Sequence, residues 1–294
     1  MALEKLGDRT FLLKGSPATI IYDDDRTLYI VDPGHGRKRA KQLRKIIQSF
    51  NPTSVDMIIT HYHSDHYSSA ISEIPNTRIV ATRLDAPMIE NPEYRLVATF
   101  GYPFSNKDPL LLYPAEPLSV KVKVEPDSNL GPLKLIHLPG HTLGQVGVLT
   151  PDRVLYAADA LFGEKVLEAY GVPYHYKPCT AKNSLTELLR KRDLVDIVVP
   201  GHGPRVDSVG LEKLVQLNID AIEGVEEGVI ELLESRPSST LEISKYVLER
   251  RGLFPSPSLV LLVESTIRGY IACMRDFLEP IVYERIVRWR VTRR

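Results

Sequence analysis

The chain has 294 residues, with 37 Lys+Arg against 37 Asp+Glu, 43% hydrophobic and 25% charged residues. This is the balance of a folded globular protein and excludes a low-complexity or disordered chain; net neutrality argues neither for nor against a polyanionic partner. No window approaches the roughly 18 uninterrupted apolar residues of a membrane span. "MALEKLGDRTF" lacks the apolar centre of a secretion signal, and Cys179 and Cys273 lie far apart with no metal spacing. The expectation is a cytoplasmic protein without a disulfide framework.

The first third reads as strands. "FLLKGSPATIIYDDDRTLYIVDPG" alternates apolar runs with turn signals, and Asp23-Asp24-Asp25-Arg26 is a hairpin tip. "GRKRAKQLRKIIQSF" sets Ala40, Leu43, Ile46, Ile47 and Phe50 on one helical face, and Asn51-Pro52 ends it. "SVDMIIT" is a buried strand running into "HYHSDHYSSAISEI", where the apolar spacing turns helical. "TRIVAT" (77–82) is a further strand, with a short helix from near Asp85. Residues 91–117, rich in proline and aromatics, take no assignment; a pocket border and a plain surface excursion have equal standing.

Strands resume with "SVKVKVEP", "LKLIHLPGHT", "QVGVLTPDRVLYAADALF" and "VDIVVPGHGP". The last three carry histidine or aspartate beside the strand, which suggests two packed sheets flanked by helices. From residue 211 the pattern becomes helical: three helices, the second opened by the capping box Ser239-x-x-Glu242, then the alternating "RIVRWRVTRR". Three helices and a terminal β-ribbon is the order of a winged-helix module. The expected division is therefore 1–210 for a catalytic domain and 211–294 for a C-terminal one. Residues 236–294 hold eleven basic and six acidic side chains. That surplus suits phosphates, although arginines on a terminal ribbon more often form a solvated face, or pack on the core or a second copy of the chain.

Of eight histidines, three fall within six positions: His61, His63 and His66, with Asp65 among them. His141 in "PGHT", Asp159 in "AADA" and His202 in "PGHG" stand at the ends of other predicted strands. Imidazoles and carboxylates are the donors that borderline divalent cations such as zinc take. Gly140, Gly201 and Gly203 permit the sharp turns that aim the rings inward. A carboxylate beside "VLYAA" is costly to bury unless paired or bound to a cation.

"HYHSDH" (61–66), followed in order by His141, Asp159 and His202 and preceded by "IVDPG" (30–34), resembles the signature of the metallo-β-lactamase superfamily over about residues 10–208. The resemblance implies an α/β fold, the four-layer αββα sandwich, with a two-metal site at one edge. One ion takes His61, His63 and His141; the other takes Asp65, His66 and His202, and Asp159 bridges. It implies two Zn²⁺, with Mn²⁺ or Fe²⁺ as alternatives, and a hydrolase whose metal-bridging hydroxide attacks an ester, thioester or lactone of a small acyl substrate. Asp65 orients the nucleophile in that reading, and Asp159 completes the catalytic pair. The same site suits a phosphodiester, so a single-stranded RNA endonuclease is the alternative.

Within the superfamily, intact His63 disfavours oxygen-reducing di-iron relatives. "LFGEKVLEAYGVPYHYKPC" replaces the stretch that glyoxalase II enzymes carry after the bridging aspartate, which sets glutathione thioesters apart. In that stretch Tyr174 and His175 are the candidate substrate contacts, a tyrosine donating to the oxyanion as in related lactonases. His35 and His137 read as structural, and Tyr62 and Tyr67 as packing beneath the metal loop. Membrane partners are not expected; a homodimer is a further expectation.

Overall fold

The computed structural model describes residues 3–67, 71, 74–101, 116–254 and 256–292. Four strands open it as an antiparallel meander: β1 (Glu4–Lys5), β2 (Thr10–Leu13), β3 (Thr19–Asp24) and β4 (Thr27–Val31). The predicted Asp-rich tip is a tight turn at Asp25-Arg26, closed by the Asp24–Thr27 pair, with Asp25 at φ 57°. Short polar side chains tolerate that left-handed backbone. Helix α1 (Arg37–Phe50) then crosses to β5 (Ser54–Ile59), which lies parallel between β4 and β6 (Thr77–Thr82). Asn51 ends α1 in a left-handed cap at φ 50°. The edge strand β7 (Val122–Val124) completes a seven-stranded sheet.

The second sheet has six strands in the order β13-β12-β11-β10-β9-β8. They are β8 (Asn129–Leu130), β9 (Leu133–His137), β10 (Val146–Leu149), β11 (Val154–Phe162), β12 (Ile197–His202) and β13 (Val206–Asp207). β11 and β12 pair in parallel. Between them run α4 (Glu164–Tyr170) and α5 (Pro178–Arg190).

Strand alternation sorts side chains into layers. Ile20, Tyr22, Ile58 and Val80 of the first sheet meet Val146, Val148, Tyr156 and Val199 of the second. Their neighbours Ile21, Ile30, Met57 and Ile59 face the other way, onto Leu43 of α1. On the far side of the second sheet, Ile136 and Leu155 pack with Leu185 and Leu188 of α5. The result is helix, sheet, sheet, helix, as expected. Each fully buried Ile or Leu contributes about 1.5–3 kcal/mol.

The short helix expected from near Asp85 is α2 (Ala86–Glu90); within 91–117, α3 (Pro92–Phe100) follows it, and residues 102–115 lie outside the described residues. The helical spacing after His66 also falls largely outside them, on 68–70, 72 and 73. The C-terminal segment holds α6 (Ser208–Ser235), α7 (Thr240–Arg250), α8 (Pro257–Cys273) and the ribbon β14 (Leu278–Tyr283) with β15 (Ile286–Val291). The capping box at Ser239 and Glu242 is present in both directions. Leu211, Val229, Ile243 and Ile267 join one core with Leu155 and Leu185. Among the described residues no helix is long and apolar enough to cross a membrane.

One expectation fails. Cys179, in the first turn of α5, and Cys273, the last residue of α8, form a disulfide with their Cα atoms 5.9 Å apart. Their separation of 94 residues hid it, because α8 folds back against α5. The cytoplasmic expectation loses the support it took from unpaired cysteines.

Candidate metal centre

The seven candidate side chains converge at one edge of the sandwich. His61 leaves the end of β5, and the turn after it swings His63, Asp65 and His66 past one another. His141 lies in the β9–β10 loop, and His202 ends β12. Asp159 sits inside β11, where the pairing with β12 slips around Ala158, a residue at φ 48°. That irregularity re-aims the carboxylate away from the regular alternation. The three glycines act differently. Gly140 and Gly203 hold φ +130° and +143°, which only glycine adopts freely, whereas Gly201 is needed for space: a Cβ there would stand 2.2 Å from Asp159 Oδ1.

Among the described residues three groups of donor atoms lie close enough to hold an ion: His61 with His63 and His141, Asp65 with His66 and His202, and Asp32 with His61 and His66. In the last, Asp32 is engaged by His66 Nδ1 and Thr60. His141 Nε2 lies 2.7 Å from His63 Nδ1, and His202 Nε2 lies 3.1 Å from Asp65 Oδ2. Asp159 stands between them. Its Oδ2 is 3.5 Å from His141 Nε2 and 3.5 Å from His202 Nε2, and its Oδ1 is 3.3 Å from His66 Nε2. His61 Nε2, His66 Nε2 and Asp159 Oδ1 are buried without a hydrogen-bond partner. Three orphaned polar atoms aimed at one space cost several kcal/mol together unless a cation fills it. The donor set therefore fits divalent metal.

The far side of each ring is fixed. Asp32, fully buried, accepts from His66 Nδ1 at 2.7 Å and from Thr60 Oγ1 at 2.6 Å and Thr60 N at 2.9 Å. This sets the His66 tautomer so that Nε2 presents its lone pair. His141 Nδ1 donates to the Tyr174 carbonyl at 2.8 Å, with the same result. His202 Nδ1 lies 2.7 Å from Ser16 Oγ. Asp85, unforeseen in the sequence, ties two loops together: it accepts from Tyr62 N, Thr142 Oγ1 and Gly144 N. Burial raises its pKa to about 6 against these donors.

Electrostatics divide the cluster. Burial holds His61 and His63 well below the usual histidine range, with neighbouring imidazoles adding to it. Burial also opposes charge on His66 and His202, but the carboxylates outweigh it, Asp159 foremost; His66 rises well above its ordinary value and His202 to about 9. Burial likewise opposes charge on Asp65 and Asp159, yet both fall below the carboxylate range because these cationic rings outweigh it.

A cavity of about 230 Å³ opens on the cluster. Metal-site residues form its floor, Val166, Leu167 and Val172 one wall, and Leu96 of α3 with Leu262 of α8 another. Tyr174 lines it, its ring 5.3 Å from His63, and burial raises the pKa of its hydroxyl. His175 is not among the lining residues. It is buried behind His141, ring centroids 6.0 Å apart, and burial pushes its pKa down to about 3. The loop thus turns Tyr174 toward the cavity and its neighbour His175 into the layer behind His141. Tyr62 and Tyr67 are buried as expected, and His35 and His137 stay at the periphery on backbone carbonyls. Arg95 of α3 also lines the cavity; nothing in the sequence singled it out.

Comparison with known proteins bears directly on this geometry. Residues 13–202, which include all seven side chains, match the family described as the metallo-beta-lactamase superfamily. The chain belongs to the metallo-β-lactamase superfamily. Among superfamily relatives it is 26% identical over 174 residues to a hydroxyacylglutathione hydrolase of Shewanella loihica, covering 59% of this chain and 56% of the relative. It is 26% identical over 200 residues to the hydroxyacylglutathione hydrolase GloC of Haemophilus influenzae, covering 66% and 88%. The chain thus spans little more than half of the first of these relatives. In fold it is similar to a metallo-β-lactamase family protein of Thermus thermophilus, with a TM-score of 0.68 at 18% identity over 98% of this chain and 100% of that one. A β-lactamase domain protein of Burkholderia ambifaria gives 0.66 at 17% identity over 99% and 93%. Both of the curated relatives are named as hydrolases.

Proposed function

We propose that the chain is a binuclear hydrolase of small esters, thioesters or lactones, with zinc as the native ion and manganese or iron as substitutes. One ion is held by His61, His63 and His141, the other by Asp65, His66 and His202, with Asp159 shared. The observation that supports this is Asp159 itself, whose Oδ2 lies 3.5 Å from His141 Nε2 of one set and 3.5 Å from His202 Nε2 of the other. Bound divalent cations supply Lewis acidity and bring a water's pKa near neutrality.

The chain's own residues do the rest. Asp65, half-shielded at the rim, orients the attacking water; a carboxylate engaged with a cation is a poor base. Asp32 and the Tyr174 carbonyl hold His66 and His141 in the required tautomers. The Tyr174 ring positions the substrate beside His63, and the walls from α3, α4 and α8 exclude water from the acyl group. Thioesters have added support from relatives named hydroxyacylglutathione hydrolases. The different stretch after Asp159 argues against glutathione as the thiol.

In this reading residues 1–210 carry the chemistry, and the winged-helix-like 211–294 closes the cavity through Ser258 and Leu262. RNA cleavage has weaker support. Arg288 and Arg290 of the ribbon are neutralised by Glu242 and Glu279, and Arg275 covers the Trp289 ring at 4.9 Å. Protein loaded with zinc or manganese, assayed on thioesters, lactones and short RNAs, tests the proposal; turnover of RNA alone overturns it.

A further inference from the structure

Arg95 is a buried cation with no direct ion pair among the described residues, Asp65 acting on it only from a distance. On α3 the residues facing inward are Pro92, Arg95, Leu96 and Thr99, the spacing of a helical stripe that ordinarily packs apolar side chains. Arg95 occupies that stripe at 6% exposure. Its Nη1 donates to Ser64 Oγ, between His63 and Asp65, and its Nε is buried with no acceptor. No carboxylate of the described residues lies within ion-pair distance of it. An arginine so placed is costly, since guanidinium cannot shed its charge as a lysine can. Burial lowers its pKa, yet it stays cationic at any physiological pH. Among the described residues nothing completes the guanidinium, and it lines the cavity beside the metal loop.

The geometry points to a substrate that brings the missing anion: Arg95 receives a carboxylate on the acyl part of the substrate, which makes the enzyme selective for half-(thio)esters of short dicarboxylic acids. This rests on the hydrolase reading given above and narrows it. Three features fix the class. Arg95 is the single Lys or Arg among the described residues lining the cavity, a number that suits one carboxylate bound by a planar fork. Its bond to Ser64 seats the guanidinium beside the metal loop, so only a few carbons separate the carboxylate from the scissile carbonyl. Leu96, Leu262 and Phe162 supply apolar surface for those methylenes and for the leaving group.

The test pairs succinyl and glutaryl monothioesters with butyryl and valeryl thioesters on one thiol, using intact metal-loaded protein. The acidic members are expected to show kcat/KM about ten- to a hundred-fold higher, mostly through KM, as a charge-assisted bond in a buried site gives. Arg95→Leu is expected to abolish that ratio and Arg95→Lys to keep part of it. A second readout is thermal: free glutarate raises the melting temperature of the wild-type protein more than butyrate does, and Arg95→Leu removes the difference. Equal kcat/KM for acidic and neutral acyl chains in the wild type overturns the inference. So does an Arg95→Leu variant that slows both alike and leaves the ratio intact, which marks Arg95 as a prop for the Ser64 turn. Absence of turnover on every ester, with the glutarate shift intact, sinks the hydrolase reading and leaves the carboxylate site standing.

Discussion

Gly201→Ala tests the metal site with one methyl group. The added carbon would stand 2.2 Å from Asp159 Oδ1, 3.1 Å from the Ala158 carbonyl carbon and 3.2 Å from His66 Cε1. A relaxed carbon–oxygen contact needs about 3.3–3.5 Å, so the carboxylate must retreat by roughly 1 Å, and the backbone and imidazole block the methyl from yielding instead. Metal ligands tolerate about 0.2 Å of displacement. The shared carboxylate then no longer serves both sets, and kcat/KM on the best thioester falls by at least about a hundred-fold. Overpacking costs about 1–3 kcal/mol of stability, a melting shift of a few degrees in a chain this long. The assays are elemental analysis of metal per chain after loading with excess zinc, kinetics, and a thermal melt. Unchanged metal content, with kcat/KM within about two-fold of wild type, would refute the placement of Asp159 between the two sets.

Asp159→Ala is expected to halve the metal content and abolish turnover; full occupancy by elemental analysis contradicts a shared ligand. Asp32→Asn frees the His66 tautomer and should weaken metal binding about 10–100-fold, read by chelator competition. Asp85 titrates near 6 when folded against 3.8 unfolded, so its ionisation works against the fold. The cost is absent below pH 3.8, sets in between pH 4 and 6 and is complete above, amounting to about 3 kcal/mol. Urea unfolding of chelated Asp85→Asn should therefore gain on wild type by about that much from pH 4 to 6; a constant gap refutes the shifted carboxyl. The Cys179–Cys273 link joins residues 94 positions apart, so reduction or Cys273→Ser should cost about 2–4 kcal/mol and lower the melting temperature. Two free thiols in non-reducing denaturant would remove the premise.

Much of the metal centre is legible in the sequence because its ligands crowd into short strand-end motifs: "HYHSDH" leaves few geometries for three imidazoles and a carboxylate. The strands are legible for the same reason, since Ile20, Ile21 and Tyr22 face alternate cores. What escapes depends on three-dimensional proximity. Arg95 lies in a proline-interrupted stretch whose helical stripe is too short to stand out, and its meaning comes only from Ser64 beside it. Asp85 looks like an ordinary helix start, yet its partners come from two positions 57 and 59 residues on and one 23 residues back. Gly201 and Gly203 read identically as turn glycines, but Gly203 serves a left-handed backbone and Gly201 a crowded carboxylate. Adjacency pairs His175 with Tyr174, and adjacency does not decide which way a loop residue turns.

Helix α8 lends Leu262 and Ser258 to the cavity and is stapled through Cys273 to α5. In the proposed reading, selectivity is therefore written partly in the C-terminal helices, beyond every ligand. Relatives sorted by their histidine signature are grouped by chemistry and not by diet. Grafting a different tail onto the same ligands is the direct route to a new one.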